Sequence, residues 1–398
     1  MWVTTAQSTR AIPLAPRLFD LVVIDEASQC TLTNLLPVIY RAKRLVVIGD
    51  PKQLPAITSM GRSEQSSLAA QFGVRQYMDE FGHAKNDLYS VAQNALPGGP
   101  AEVIMLEEHY RSDPLVIGFA NRFVYQQALK LRRGPGRTID GIGVPGIYTL
   151  HVEGDPRRSG GSWVNEREAR AVADKVLALV AAGVNSATIG VVTPFAAQKF
   201  RIQKLLEHPD SVAQVMADTA FGFQGDERDV IIFSAVIGGD SFPPGTARWV
   251  TEPPNLLNVA LTRAKDFLYV VGNMHFATKQ PGILNDLASY LRDVDTLREN
   301  HKGELALFSW MMMEGWTPVV HPDIANTCVS FALDEPLGRR VAVVVRTLTH
   351  IESPRTPGES ARDTGLEAAG YRVVEVSSRE VLETPTVVMH KIRTELRP

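Results

Sequence analysis

The sequence predicts an α/β protein built on parallel sheets, followed by a smaller α/β domain at the carboxyl end. Short apolar runs that end in polar residues recur over roughly the first 277 residues, with helical stretches between many of them. Continuous apolar runs are typical of strands covered by helices on both faces, and functional residues then lie at the carboxyl ends of those strands. From about residue 301 the runs follow a different order. We therefore expect two sheets and a third, smaller domain.

The predicted elements fall into three sets along the chain. The first set has strands at 21–24 and 45–48, and a Pro/Gly segment at 96–100 marks a boundary after it. The second set has a helix at 165–181 and strands at 189–192, 229–233 and 267–271, preceded by a glycine-rich stretch at 132–161 that predicts loops with short strands. The third set has helices at 304–314 and 361–369 and strands at 341–345 and 371–376.

Composition limits the class of protein. A chain of 398 residues is long for one core, and 44% hydrophobic with 21% charged residues can fill two or three. No apolar run of about 18 residues or leader sequence is visible, and the two cysteines, Cys30 and Cys328, form no CxxC pair. These features predict a cytoplasmic protein without a membrane partner, a disulfide scaffold or a cysteine zinc site. The net charge of -3 gives no overall signal for nucleic acid.

Two adjacent carboxylates, Asp25 and Glu26, directly follow the first predicted strand. At such a place one carboxylate can hold Mg²⁺ while its neighbour polarises an attacking water, as phosphoryl transfer requires. An isolated Asp-Glu pair is also a common solvated strand end. The pair alone therefore does not decide between these interpretations.

The second predicted strand leads into a proline-bounded loop, residues 49–55, of sequence Gly-Asp-Pro-Lys-Gln-Leu-Pro. A rigid loop here would hold Asp50 and Gln53 near a terminal phosphate, where an amide can sense the phosphate or orient water. Taken alone, the segment is equally an ordinary turn with proline at its favoured position. Other segments of the chain are needed to decide between a phosphate-sensing loop and an ordinary turn.

Both segments resemble motifs II and III of the superfamily 1 helicases, in the branch that contains the nonsense-mediated-decay RNA helicases and their bacterial relatives. Four later segments resemble motif IV, a threonine-proline-aromatic element, motif V and motif VI, in the order of the family: 106–112, 193–198, 218–229 and 258–265. Each segment stands at a predicted strand end or helix start. The resemblance covers roughly residues 1–277, and it depends on this joint order more than on any single motif.

The resemblance implies a role for each matched residue. The implied catalytic residues are Asp25 as Mg²⁺ ligand, Glu26 as water-activating residue, Gln53 as sensor, and Arg111 and Arg263 as arginine fingers. The implied nucleotide contacts are Asp50, Tyr110, Gln224, Gly225 and Glu227, with Tyr110 stacking on the base. The implied nucleic-acid contacts are Thr4, Thr193, Pro194, Thr219 and Asn258. Arginine suits the finger role because its planar, permanent charge can bridge phosphate oxygens.

The resemblance also implies an architecture and ligands. It predicts two RecA-like parallel-sheet motor domains, the first truncated, plus a small α/β endonuclease-like domain. The expected boundaries are 1–100, 101–277, a linker at 278–300, and 301–398. The implied cofactors are ATP, bound between the motor domains, and Mg²⁺, and the implied partner is single-stranded DNA or RNA along which the motor moves 5′ to 3′.

One element of the family is absent from the 398 residues. This is the GxxxxGK[ST] loop, whose backbone N–H groups and lysine cradle the phosphates; no lysine of the chain is preceded by glycine. Residues 3–9 resemble the threonine-rich motif just upstream of motif II, so the chain is expected to begin inside the first motor domain. Three explanations stay open: a truncated product or misassigned start, a split motor whose loop comes from a second polypeptide, or a degenerate protein that binds without hydrolysis.

The final domain has its own pattern, in which Gly303 and Glu304 open a helix, His350 follows the strand at 341–345, and segments 362–366 and 370–373 come next. This pattern resembles the small Vsr-like members of the restriction-endonuclease-like fold. Active members hold Mg²⁺ with carboxylates on two neighbouring strands. Here Ser330 stands near the place of the expected Asp, with Val344 and Arg346 at the places of the expected Glu and its partner. The resemblance therefore implies a degenerate nuclease that docks nucleic acid or a partner.

A different class of function stays open beside the motor: a non-catalytic nucleic-acid-binding or defence-complex subunit derived from a helicase-nuclease. The absent phosphate loop and the emptied nuclease positions favour it. An in-frame GxxxxGK[ST] block upstream would favour the motor, whereas a true start at Met1 would favour the binding subunit or the split motor.

Overall fold

The computed structural model describes residues 1–56, 60–82, 86–208, 210–239, 243–300, 302–334, 339–346 and 357–397. The chain forms two compact units, Met1–Leu106 and Glu107–Pro398. His350, which enters the endonuclease resemblance, lies outside the described residues. Within the described ranges, no helix has the length and apolar character needed to cross a membrane.

The first unit contains a small parallel sheet. Its strands β1 (Val22–Ile24) and β2 (Leu45–Val47) pair in register, with Ile24 opposite Val47. Its helices are α1 (Leu32–Tyr40), α2 (Arg62–Gln71), α3 (Met78–Phe81) and α4 (Leu88–Asn94). One face of the sheet packs against apolar residues of α1 and α4: Leu32, Leu35 and Leu88.

The other face of this sheet differs from the sequence prediction. We expected both strands to be buried on both faces, but Val23 is 56% exposed and Val46 is 42% exposed. Side chains alternate across a strand, so an apolar residue is buried only where a helix covers its face. In the part of the first unit that the structure describes, helices cover only the face that carries Ile24 and Val47.

The second unit is organised around a five-stranded, all-parallel sheet of order β5-β11-β10-β8-β9. The five strands of the sheet are β5 (Gly146–His151), β8 (Ile189–Thr193), β9 (Met216–Thr219), β10 (Arg228–Ser234) and β11 (Ala264–Gly272). Two further pairs of short strands lie outside it: β3 (Glu108–His109) with β4 (Lys130–Leu131), and β6 (Arg157–Ser159) with β7 (Ser162–Val164). The accompanying helices are α5 (Pro114–Phe123), α6 (Glu166–Ala181), α7 (Ala196–Leu205), α8 (Pro244–Thr251), α9 (Asn255–Thr262), α10 (Met274–Thr278) and α11 (Ile283–Asn300). This arrangement confirms the α/β class.

Helix α6 shows why this sheet is covered. Its apolar residues recur every three or four positions, at Ala169, Val172, Val176 and Leu179, which places them on one helical face. That face packs with the side chains of β8, β10 and β11 in the main core of the unit. The helix begins where the Asn165 side chain accepts a hydrogen bond from the Glu168 N–H.

The stretch 278–300, predicted as a linker, contains the long helix α11. Leu287, Leu291, Val294 and Leu297 are buried along it. It packs against α5, β5 and the next helix, α12 (Lys302–Met313). Its apolar residues recur with helical spacing among charged ones, so this connection is a packed helix rather than an open linker.

The carboxyl-terminal part of the second unit has a separate mixed sheet of order β12-β15-β16-β17, in which only β16 and β17 are parallel. Its strands are β12 (Val319–Val320), β15 (Phe331–Asp334), β16 (Arg340–Arg346) and β17 (Tyr371–Ser377). Its helices are α12 (Lys302–Met313), α13 (Pro357–Ala368), α14 (Ser378–Glu383) and α15 (Pro385–Leu396). Strands β13 (Asp323–Ile324) and β14 (Thr327–Cys328) pair with each other as a separate antiparallel hairpin. The predicted helix-strand-helix-strand order of this part is present.

Candidate functional site

In the first unit, Asp25 and Glu26 stand directly after β1. Glu26 has a left-handed backbone conformation, with φ of 53°, which costs a non-glycine residue on the order of 1–3 kcal/mol and is frequent at functional sites. Its N–H donates to Asp25 Oδ1 at 2.9 Å, and its carboxylate accepts from Gln29 Nε2 at 2.8 Å. The exposed Asp25 carboxylate is the hard oxygen ligand that Mg²⁺ prefers.

The loop after β2 lies against this turn. A β-carbon at Gly49 would come within 3.0 Å of the Ser28 nitrogen, so the close approach of the two segments requires glycine there. Gln53 Nε2 donates to Asp50 Oδ2 at 3.3 Å. The structure therefore brings the two predicted segments of the first unit together and couples Gln53 to Asp50.

In the second unit, three predicted segments far apart in sequence converge through hydrogen bonds. The Ser112 hydroxyl donates to the Ala264 carbonyl at 2.8 Å, and the Asp113 N–H donates to the Lys265 carbonyl at 2.8 Å. The Arg228 N–H donates to the Arg263 carbonyl at 3.0 Å. The segments that resemble motifs IV, V and VI are therefore joined at one place.

Where these three segments meet, the Glu227 carboxylate lies among cationic side chains. Glu227 accepts from Lys265 Nζ at 2.7 Å and pairs with Arg111 Nε at 3.2 Å. Its hydrogen bond with Lys265, and then the charges of Arg111 and Arg263, hold the pKa of Glu227 below its usual value. Arg111 and Lys265 pair with Glu227 directly, while the buried Arg263, whose Nε donates to the Val259 carbonyl at 3.1 Å, acts on it through its charge. Clustered cations of this kind are the electrostatic requirement for a phosphate group.

Sequence reasoning did not identify Lys265 or Arg133 as part of this cluster. Arg133 donates to the carbonyls of Arg111 and Lys265 and to the Asp266 carboxylate, so it fixes the backbone of both cationic segments. Nearby His109 accepts from the Ser112 N–H at 3.0 Å. Burial and then the charges of Arg111 and Arg133 lower the pKa of His109 to about 4, so this ring is neutral at pH 7.

Tyr110 lies at the surface of the same segment, 64% exposed. Its hydroxyl donates to Glu108 Oε2 at 2.5 Å, and Glu108 also accepts two hydrogen bonds from Arg132. The ring is thus held at its polar end, while its exposed area could accept a stacked base. Glu108 and Arg132 are further residues that the sequence alone did not indicate.

The remaining predicted nucleotide contacts lie in the turn between β9 and β10. Gly225 is exposed and has φ of 78°, a left-handed conformation that favours glycine. Gln224 is half-buried beside it, and half-buried Thr219 accepts from the Gly222 N–H at 3.4 Å. The turn brings Glu227 to the cationic cluster. The roles of Gln224, Gly225 and Thr219 in binding the nucleotide or the nucleic acid stay predictions.

The predicted nucleic-acid contacts differ in exposure. Thr4 is exposed, whereas Thr193 and Asn258 are each 1% exposed, and Pro194 is also buried. Asn258 Nδ2 donates to the Tyr125 hydroxyl at 3.0 Å. A strand could reach these buried positions only through their backbone or exposed neighbours, so their roles also stay predictions.

A buried polar network underlies the end of β10. Glu168, 0% exposed, accepts from the Ser234 hydroxyl at 2.7 Å and from the Val236 N–H at 2.8 Å. Gln198 donates to the same hydroxyl at 2.9 Å and accepts from the Asn165 N–H at 2.9 Å. Burial raises the pKa of Glu168 to about 8, and hydrogen bonds from Val236, Ser234 and Ala235 only partly offset that effect. The network fastens α6 and α7 to the end of β10.

The carboxyl-terminal sheet has a buried acid of its own, Glu304 on α12, 4% exposed. The Ser330 hydroxyl donates to Glu304 Oε1 at 2.5 Å, and His321 Nε2 lies 2.9 Å from Oε2. Ser330 also accepts from the Val345 N–H at 3.0 Å. Arg346 pairs with Glu375 and, at 3.1 Å, with Glu359. Both Glu304 oxygens are thus occupied by side chains.

Within the described ranges, one group of three potential metal ligands occurs: His151, Glu153 and His275, all exposed. The Met274 N–H donates to His151 Nδ1 at 3.2 Å, so the proton of a neutral ring lies on Nε2, which faces Glu153 at 3.6 Å. A protonated nitrogen cannot bind a metal. The geometry therefore favours a histidine-carboxylate cluster over a metal site.

Comparison with known proteins gives two family matches. Residues 87–275 match a family described as an AAA domain, and residues 3–60 match a second family of the same description. Together these matches include every residue singled out above in the first unit and in the cationic cluster.

Named relatives point to the same family. The chain is 31% identical over 276 residues to the probable helicase senataxin of Mus musculus, covering 64% of this chain and 10% of that protein. It is 28% identical over 300 residues to the regulator of nonsense transcripts 1 homolog of Arabidopsis thaliana, covering 71% of this chain and 22% of that protein. The chain thus spans a small share of these relatives' length.

Among solved structures, that of the PRRSV helicase is 14% identical, covers 64% of this chain and 34% of that one, and gives a TM-score of 0.32. A score of this size does not support a fold assignment. The assignment depends on the family matches and the named relatives, which together support a superfamily 1 helicase.

Proposed function

We propose that this chain is part of an ATP-dependent motor that moves along single-stranded DNA or RNA, in the 5′-to-3′ direction. The observation that carries the proposal is the convergence of Arg111, Glu227, Arg263 and Lys265 at one place in the second unit. These side chains come from three segments spread over more than 150 residues.

The proposed chemistry follows from the residue types. ATP and Mg²⁺ are the cofactors, with Asp25 as metal ligand and Glu26 as the residue that polarises the attacking water. Gln53, held by Asp50, senses the terminal phosphate. Arg111 and Arg263 stabilise the charge that spreads over the transferring group, because a guanidinium can bind two phosphate oxygens at once.

The proposal predicts that Arg111→Ala lowers the affinity for a fluorescent ATP analogue about tenfold or more, since a charge-assisted hydrogen bond contributes roughly 1.5–3 kcal/mol. Titration followed by anisotropy measures the effect. Arg170→Ala is the matched control, because Arg170 is an exposed arginine on α6 that pairs only locally with Glu166. Equal affinities of both variants and the parent chain would contradict a phosphate role for Arg111.

A second prediction concerns hydrolysis by this chain on its own. Because the 398 residues contain no Gly-Lys pair of a phosphate loop, we expect ATP turnover at the background level with or without single-stranded DNA or RNA. A phosphate-release assay checks this. Strand-stimulated turnover above background would show that another segment replaces the loop.

For the carboxyl-terminal sheet we propose a non-catalytic role, derived from a nuclease, in docking nucleic acid or a partner. The observation that favours it is the occupation of both Glu304 oxygens by Ser330 and His321. We expect no Mg²⁺-dependent cleavage of DNA or RNA by the chain. Cleavage that Glu304→Ala abolishes, with an unchanged melting temperature, would overturn this role.

A further inference from the structure

The β6–β7 hairpin projects from the second unit. Its two strands are joined by Gly160 and Gly161, whose φ angles of 55° and 82° are both positive, as in the two-residue turn that hairpins favour. A β-carbon at either glycine would meet nothing within 4 Å. The hairpin tip therefore extends into open space.

The two faces of this hairpin differ. Residues directly opposite each other share a face, so Arg158 and Trp163 lie on one face while Arg157 and Val164 lie on the other. Val164 is only 6% exposed. Ser162, on the same face as Val164, accepts from the Ala197 N–H at the start of α7 at 3.3 Å. That face packs on the unit, so Arg158 and Trp163 occupy the outward face.

The outward face combines an aromatic ring with an arginine. The Arg158 guanidinium lies 5.8 Å from the centre of the half-buried Trp163 ring and otherwise donates to the Gly161 carbonyl at 3.5 Å. No ion pair found among the described residues involves the exposed Arg158. On the neighbouring helix α7, which contacts β7, Phe200 is 64% exposed, and Lys199 Nζ lies 5.4 Å from its ring centre.

We propose that the outward face of the β6–β7 hairpin is a contact site for single-stranded nucleic acid, in which Arg158 binds a backbone phosphate and Trp163 stacks on a base. Single strands offer an alternation of phosphates and unstacked bases, and proteins bind them with cationic and aromatic side chains in close succession. A duplex keeps its bases stacked on each other, so it cannot use the tryptophan. This proposal rests on the proposed function, because it extends the surface along which the motor holds its strand.

The experiment measures binding of a fluorescein-labelled oligo-dT 20-mer by anisotropy, at several salt concentrations, with the whole chain. We expect Trp163→Ala to weaken binding about fivefold to a hundredfold. Arg158→Ala is expected to weaken binding as well. It should also make the negative slope of log affinity against log salt shallower by about 0.7, because one phosphate contact is lost. Trp163→Phe keeps an aromatic ring and is expected to retain most of the affinity.

Arg157→Ala is the matched control, since it removes the same charge from the neighbouring position on the opposite face. We expect it to change affinity by less than about twofold, because salt screens a charge that does not contact the strand. Thermal melting of each variant identifies any that fails to fold, and Trp163→Phe then decides the stacking contact.

The outcomes separate the two proposals. If the parent chain binds oligo-dT but Arg158→Ala and Trp163→Ala bind as Arg157→Ala does, the hairpin contact is refuted while single-strand binding stands. Loss of binding in Trp163→Phe equal to that in Trp163→Ala would refute stacking. If the parent chain binds neither oligo-dT nor oligo-U, the proposed function itself fails.

Discussion

Glu168→Gln is expected to remove a contribution to stability that the parent chain loses as pH rises from about 5 to 8. The folded protein keeps a proton on Glu168 up to a pKa of about 8, whereas the ordinary value is 4.5. Between these values the folded state binds more protons than the unfolded state, so the free energy of unfolding decreases with rising pH and levels off above about 8. The full difference is on the order of a few kcal/mol for a fully buried acid.

Glutamine carries no titrating proton, so the difference in free energy of unfolding between the variant and the parent chain should shift in favour of the variant as pH rises from about 5 to 8. The pH dependence that His109 contributes is the same in both proteins and cancels in this difference. Denaturant unfolding at pH 5.5, 7 and 8.5 measures the difference. Glu166→Gln, on the same helix, is the matched control: Arg201 and Arg170 hold the pKa of Glu166 near 2, so its contribution is lost only below pH 5. A parent-like slope in Glu168→Gln would show that Glu168 is already ionised in the folded protein.

Asp113→Ala is expected to lower the free energy of unfolding of the second unit by about 2–4 kcal/mol. Asp113 is 2% exposed, and its carboxylate accepts from the Leu115 N–H and the Gly136 N–H, each at 2.9 Å. The alanine variant leaves the buried Leu115 N–H, at the start of α5, and the half-buried Gly136 N–H without their acceptor. Because Asp113 follows Arg111 by two residues, the same change should loosen the cationic cluster.

Denaturant unfolding and binding of the ATP analogue measure the two consequences of Asp113→Ala. Asp113→Asn keeps one acceptor oxygen, so it should lower the free energy of unfolding by less than the alanine variant does. Asp140→Ala removes an exposed carboxylate from a nearby loop and should cost under about 0.5 kcal/mol. An Asp113→Ala variant as stable as Asp140→Ala would show that water replaces the lost acceptors.

Sequence patterns predicted the three central strands of the five-stranded sheet and did not pick out its two edge strands, for a physical reason. The runs at 189–192, 229–233 and 267–271 became β8, β10 and β11, which are buried on both faces and therefore apolar throughout. Strands β5 and β9 lie at the two edges of the same sheet. Their half-buried positions include polar residues, such as Thr149 and Asp218, which hide the strand pattern.

The candidate site was predictable in its motif residues but not in their neighbours. The resemblance identified Arg111, Glu227 and Arg263, and the structure brings them together. Lys265 and Arg133 take part only because three distant segments meet in a particular register, which no local pattern specifies. Likewise, the burial of Thr193 depends on packing above the strand end, so its exposure could not be read from the sequence.

The hydrogen bond from Ser112 to Ala264 closes a loop of 152 residues. Closing so long a loop is entropically costly, and folds dominated by such contacts form slowly. The cationic cluster should therefore be among the last parts of the second unit to assemble, after β10 and β11 have paired. During synthesis the ribosome must release residue 265 before the cluster can exist, so any nascent chain shorter than this lacks the cationic cluster.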